Sequence, residues 1–363
     1  MPPRTMHFWT RWPVVGALLA VVAGVGCGEP EPVVVGVAMG GESRAARMAF
    51  ADAAAAGLSG VDTLFILAAN NLAAPALDAA ERLVATPGLV ALVGHSNSAA
   101  SITAAQIYND NAIVQLAPHS TAPLYSQAGP YSFRMVQSDE QQGVFLAGVL
   151  RREHPDARVA LVYVNDDYGR GLRSSFLQAL ESGDPQPVLD FPHVELPDSA
   201  AIFRLRAAIV EARPDVILWL GRSAVLARVL PAVHAELGRV PVLGSDGVEG
   251  ALAQPWIESW RQVRFVALVD MDQGGRLTDF SRRFTELVGR RPSSPEALTY
   301  DATALLLRAI ADGARSGEAI RAWLNELGRQ RPPFDGITGP VAFDENGDVA
   351  RDYVLARIPE PRP

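Results

Sequence analysis

The sequence predicts an α/β protein built as two doubly wound lobes, and two observations carry that prediction. Short apolar runs suited to buried parallel strands alternate with helical runs along almost the whole chain, joined by short connections. The alternation passes through two successive series, each large enough for its own sheet. The 363 residues fit about two domains at ~150 residues apiece. The strand-end loops of the two lobes could then face a shared cleft.

The first series opens with a continuous apolar run at 33–38, then an Ala-rich helix at 43–56 that Ser43 caps and Gly57 stops. A strand at 61–68, a helix at 74–86 ended by Pro87-Gly88, a strand at 90–93, a helix at 99–109 and a strand at 113–116 follow. The second series reads helix 139–152, strand 158–164, helix 172–180, strand 188–191, helix 200–212, strand 216–220, helix 225–237 and strand 242–244. The chain closes with a strand at 263–269, helices at 277–288, 295–314 and 318–327, and strand runs at 341–343 and 353–358. Between these last runs, Asn346-Gly347 predicts a two-residue hairpin.

Composition excludes several classes. A hydrophobic share of 48% with 20% charged residues is that of a globular protein and rules out wholesale disorder. The net charge is −8, every basic residue is arginine, and no basic patch is interleaved with aromatics, so nucleic acid is not an expected partner. At the N-terminus, Arg4 and Arg11 precede an apolar stretch at 14–25, and Gly24-Val25-Gly26 leads into Cys27, the only cysteine. That pattern predicts a signal peptide over 1–26, whose apolar core is too short to span a membrane comfortably. Small residues before a lone cysteine resemble a bacterial lipobox, which makes Cys27 the expected lipidation site, followed by a linker at 27–32. Gly24 stands where such boxes usually have leucine, and secretion without an anchor is the alternative. With no second cysteine the fold rests on its core rather than on disulfides.

The most informative stretch is 90–123. Two apolar runs end in loops of small hydroxyl residues, Gly94-His95-Ser96-Asn97-Ser98 and Ala117-Pro118-His119-Ser120-Thr121, and the first loop opens a helix. Ligands of open α/β sheets bind at the carboxyl ends of the strands, and a helix N-terminus offers free N–H groups to an anion. Ser98 and Thr121 are therefore candidate donors to a carboxylate or phosphate. Taken singly, Ser98 as a helix cap and Ser120-Thr121 as turn formers are the plain alternatives.

Other motifs fail. The 94–98 loop approaches a nucleophile elbow, but its last glycine is a serine; a hydrolase using Ser96 is the enzymatic rival. Asp344, Asn346 and Asp348 begin like a calcium loop, yet Val349 occupies the glycine position and no Glu follows where one is needed. The six histidines are scattered without ligand spacing, and Gly169-x-Gly171 lacks the third glycine of a dinucleotide loop. No metal or cofactor is expected.

Several segments together resemble the periplasmic branched-chain amino-acid-binding proteins, the solute receptors of ABC importers. They are Val93-Gly94-His95 with its serine loop, residues 117–123, 166–171 and 244–247, and the closing Phe334-Asp335-Gly336-Ile337-Thr338-Gly339-Pro340 with Phe343-Asp344-Glu345-Asn346-Gly347. The resemblance covers nearly all of the chain after the signal. It implies a type I periplasmic-binding fold whose two Rossmann-like lobes, 33–138 plus 270–335 and 139–269 plus 336–363, are joined by three crossovers. It also implies one small ligand clamped between them, a non-enzymatic role, a monomer, and delivery to an ABC permease of the inner membrane. A ligand-sensing module for a signalling partner is the alternative in the same fold. The ligand's carboxylate would meet Ser98 and Thr121. Its ammonium would be shared by a backbone carbonyl near His119 and Ser120 and by Asp246, with Tyr168 as a pocket wall. The chain departs from the family pattern in the short loop Met39-Gly40-Gly41-Glu42, in Ala69-Asn70-Asn71 where acids are expected, and in Arg222-Ser223 where an aromatic is common. Arg222 is expected to accept a second carboxylate or phosphate on the ligand.

Overall fold

The computed structural model describes residues 33–40, 43–67 and 73–360. The signal, Cys27 and its linker, the Gly41-Glu42 half of the first loop and the turn at 69–71 lie outside the described residues. In chain order come β1 (Val33–Met39), α1 (Ser43–Ala55), β2 (Val61–Leu67), α2 (Ala73–Val84), β3 (Leu89–Gly94), α3 (Ser98–Asp110), β4 (Val114–Ala117) and β5 (Ser132–Arg134). The five strands pair in parallel in the order β2-β1-β3-β4-β5. β1 is apolar throughout because helices cover both faces of the sheet, leaving neither face to water.

The second lobe follows with α4 (Asp139–Glu153), β6 (Val159–Val164), α5 (Asp167–Gln178), β7 (Pro187–His193), α6 (Ser199–Ala212), β8 (Val216–Leu220), α7 (Ser223–Leu237), β9 (Val242–Gly244) and β10 (Val263–Ala267). Helices α8 (Arg276–Val288), α9 (Ser294–Ala311) and α10 (Gly317–Glu326), with the ribbon β11 (Phe334–Gly336) and β12 (Gly339–Val341), return to the first lobe. A last strand, β13 (Val354–Arg357), closes antiparallel on β10, so the second sheet runs β13-β10-β9-β8-β6-β7. Its packing shows the period of two directly. Along β8, Val216, Leu218 and Leu220 face one core and Ile217 and Trp219 the other. Among the described residues no helix is long and apolar enough to cross a membrane.

Three details differ from the sequence expectation. Val341, Phe343 and Val349 pack in the first-lobe core, so the last crossover falls after Val349 rather than at 336. The two closing runs do not pair with each other: β12 pairs with β11 and β13 with β10, and a lone Phe343–Val349 bridge flanks Asn346-Gly347. Helix α5 starts at Asp167, five residues before the expected 172, because Asp166 caps it by accepting from Gly169 N at 2.9 Å. Gly169 and Gly171, read as loop glycines, lie in that helix where a Cβ would stand 2.0 Å from Val164 O and 2.9 Å from Pro123 Cδ.

Arg351 laces the crossovers together. Its Nε donates to Met135 O at 2.8 Å, its Nη1 to Thr338 O at 2.7 Å, and its backbone N to Gln137 Oε1 at 3.1 Å.

Candidate functional site

The carboxyl ends of both sheets meet at a cavity of about 300 Å³, at the small end of the range for ligand pockets. Among the described residues four other hollows are larger, and the largest two, about 590 and 580 Å³, lie along α9, away from the strand ends. Of the residues expected at the site, Ser98, His119, Thr121, Tyr168, Arg222 and Asp246 all line the cleft cavity. Strand order explains this convergence, since the winding reverses between β1 and β3 in one sheet and between β6 and β8 in the other. The loops after those strands splay apart and leave a crevice.

On the first-lobe side, Asn97 rather than Ser98 caps α3, its Oδ1 accepting from Ala100 N at 2.8 Å. Ser98 is thereby free to reach the neighbouring loop, where its Oγ accepts from Ala122 N at 3.2 Å. The Thr121 hydroxyl is buried, lies against the Asp139 carboxyl and has no hydrogen-bond partner of ordinary geometry among the described residues. Ser120 departs from expectation. It is fully buried behind the cavity wall, with its hydroxyl 2.8 Å from Ser101 Oγ and its carbonyl accepting from Arg134 Nη1 at 3.1 Å. Ser96 carries no hydrolase geometry, because its Oγ accepts from Gly40 N and donates to Met39 Sδ, not to a histidine. His95 bonds Tyr108 instead, and burial pulls its pKa down to about 4, so it is neutral.

On the second-lobe side, the Tyr168 hydroxyl donates to Asp246 Oδ1 at 2.6 Å and accepts from Gly247 N at 3.2 Å. The Gln142 amide bridges the buried Asp139 and the half-buried Asp246, donating to Asp139 Oδ1 at 2.9 Å and to Asp246 Oδ1 at 3.0 Å. Burial, above all, pushes both carboxyls above their usual range; for Asp139 the charge of Asp246 adds to it. Two desolvated carboxyls this close favour a cation between or beside them. Neither Asp139 nor Gln142 carries a sequence signal, since an acid and an amide opening a helix look like a solvated first turn.

Arg222 corrects a second expectation. Its Nη1 already pairs with Asp166 Oδ2 at 2.9 Å and Glu195 Oε2 at 2.6 Å, so its charge is spent on two carboxylates of its own lobe. A second acidic group on the ligand would meet those carboxylates as well as the guanidinium.

Glu249, which no local pattern singles out, completes the wall. Its Oε1 accepts from Ser294 N at the start of α9 at 2.6 Å, while its Oε2 is buried without a partner among the described residues. Burial raises its pKa from the usual 4.5 to about 7; the Ser294 bonds lower it, and the charges of Asp246 and Glu296 raise it. The folded protein thus keeps a proton that the unfolded chain releases at about 4.5, and stability falls as pH rises from there to about 7. Glu249→Gln removes this dependence. Chemical denaturation should find the variant about as stable as wild type at pH 5 and more stable, on the order of 3 kcal/mol, at pH 8. An unchanged difference between the two pH values would count against the buried-acid assignment.

Two doubly wound lobes joined by three crossovers around a polar cleft define the type I periplasmic-binding architecture. The chain belongs to the periplasmic binding protein family, whose sequence profile matches residues 35–361, and membership implies a periplasmic location. It is similar to the Leu/Ile/Val-binding protein homolog 1 of Brucella melitensis, with 24% identity over 73% of this chain and 70% of that one. The amino acid binding protein of Pseudomonas aeruginosa is 26% identical over 86% of this chain and 83% of its own. In fold it is similar to a leucine binding protein from Thermotoga maritima, with a TM-score of 0.78 at 22% identity, over 90% of this chain and 95% of that one.

Proposed function

We propose that this protein is a non-enzymatic receptor for an α-amino acid, closing its lobes on the zwitterion and delivering it to an ABC permease of the inner membrane. The observation that carries the reading is the polarity of the cavity. The α3 N-terminus, Ser98 and Thr121 stand at its first-lobe end, and the half-buried Asp246 carboxyl stands at the other. A carboxylate at the first end gains helix N–H groups and hydroxyls, and an ammonium at the second finds a desolvated anion. The names of the Brucella, Pseudomonas and Thermotoga relatives support the same ligand class. The protein acts as a monomer, since one copy contributes both halves of the clamp. A thermal-shift screen of amino acids, sugars and nucleobases tests the reading. An amino acid is expected to raise the unfolding temperature, and stabilisation by a sugar or nucleobase alone would defeat it.

Cys27 holds the receptor to the membrane through a lipid. Wild type is expected in the membrane fraction, and Cys27→Ser in the soluble fraction or unprocessed. Equal partitioning of the two forms removes the anchor and leaves the binding role standing.

A further inference from the structure

Beyond the groups that would hold an amino acid's backbone, the cavity has a further end shaped by Glu195, Arg222, Ser223, Glu249 and Gln254. Apolar contact there is sparse. The apolar side chains among the described lining residues are Ala224, Leu268 and Pro295, and the aromatic one is Tyr168, whose hydroxyl is already tied to Asp246. Gln254 Nε2 donates to Ser223 Oγ at 2.7 Å, which fixes that part of the wall as a polar surface.

Charge decides what this end accepts. Among the described lining residues, the acids Glu195, Asp246 and Glu249 stand against the guanidinium of Arg222, which Asp166 also binds, and the imidazole of His119, which acts on Asp246. A zwitterion brings its own ammonium for Asp246 and its own carboxylate for the first lobe, so the acidic excess survives its binding. A leucine-like side chain would bury that excess and leave Glu249 Oε2 desolvated without a partner. An acidic side chain would meet the like charges of Glu195 and Glu249. A cationic side chain corrects both defects at once, giving Glu249 Oε2 a donor and offsetting the remaining negative charge.

Building on the amino-acid reading above, we propose that this end of the cavity is a cation subsite, with Glu249 and Glu195 selecting an amino acid whose side chain ends in an ammonium or guanidinium group. Glu249 supplies the direct acceptor. Glu195 acts by holding Arg222 neutralised, because an unopposed guanidinium in the wall would repel the ligand's cation.

Calorimetric titration of the purified protein with L-arginine, L-lysine, L-glutamine, L-leucine and L-glutamate tests this. Arginine or lysine is expected to bind tighter than the other three by about 10-fold or more, the effect of one charge-assisted hydrogen bond. A smaller preference, or a preference for leucine, glutamine or glutamate, overturns the cation subsite and leaves the amino-acid receptor intact. Failure of all five to bind overturns the receptor reading itself. Glu249→Gln and Glu195→Gln are each expected to weaken binding of the preferred cationic amino acid by about 10-fold or more. Their unfolding midpoints at pH 5 should match wild type, which shows that the fold is intact. Unchanged affinity in both variants overturns the assignment.

Discussion

Arg134→Met is expected to destabilise the protein by about 3–5 kcal/mol, the scale of stranding one member of a buried ion pair. Arg134 is completely buried at the end of β5 and uses its whole guanidinium. Nε donates to Asp348 Oδ1 at 2.7 Å and Nη2 to Asp348 Oδ2 at 2.5 Å, a two-pronged grip on the last segment of the first lobe. Nη1 donates to the carbonyls of Ser120 and Ala122 at 3.1 and 3.0 Å, flanking Thr121 on both sides. Methionine fills similar volume but strips the half-buried Asp348 carboxylate of its cation and takes one donor from each of the Ser120 and Ala122 carbonyls. Ser126 Oγ still donates to Asp348 and Tyr125 N to Ala122 O. The urea midpoint should fall with the slope unchanged, as expected for a loss of stability alone. Adding Asp348→Leu should recover part of the loss, since the stranded charge goes while the carbonyls still lack the guanidinium. A loss below about 1 kcal/mol in the single variant would place the pair among surface-like ion pairs and sink the argument.

The contrast between Arg134 and its surroundings explains what is legible in the sequence. Runs buried on both faces, such as those at β1, β3, β6 and β8, advertise themselves by composition alone, and from them follow the two lobes and the cleft. β5 escapes such a reading because Ser-Phe-Arg is three residues long with an arginine inside, and that arginine is buried only because Asp348 lies 214 positions away. The closing hairpin misleads because Asn-Gly fixes a turn, whereas strand pairing depends on distant partners. At the site, residues that announce themselves through strand-end loops, Ser98, His119, Thr121 and Asp246, do line the cavity. What stays hidden is the layer behind them. The pairing of Arg222 with Asp166 and Glu195, the Gln142 bridge and the unpartnered Glu249 oxygen depend on contacts 27 to 104 positions apart or on burial, which local pattern does not encode.

Asp246→Asn should move stability and affinity in opposite directions. The amide oxygen of the substituted side chain can keep both hydrogen bonds that Asp246 Oδ1 accepts, from Tyr168 and Gln142, so the loop should hold its shape. What disappears is a half-buried negative charge whose field acts on Asp139. Burial holds both carboxyls above their usual pKa range, and for Asp139 the charge of Asp246 raises it further. The empty protein should therefore be at least as stable as wild type near neutral pH. Ligand binding should instead weaken by about 2–3 kcal/mol, roughly 30- to 150-fold, because the ammonium loses its charged partner. The division of the site between lobes locates that loss in time. On the proposed amino-acid reading, Ser98 and Thr121 of the first lobe would hold the carboxylate before closure, and Asp246 would reach the ammonium only when the second lobe arrives. Hinge closure around a ligand is the general behaviour of periplasmic binding proteins. The particular expectation is that Asp246→Asn speeds dissociation while barely changing the association rate, and that Thr121→Ala impairs both. Stopped-flow binding, with small-angle scattering to follow compaction, separates these cases. A variant that loses stability, or one that binds as tightly as wild type, would mean that the Asp246 carboxylate serves the second lobe's packing rather than the ligand.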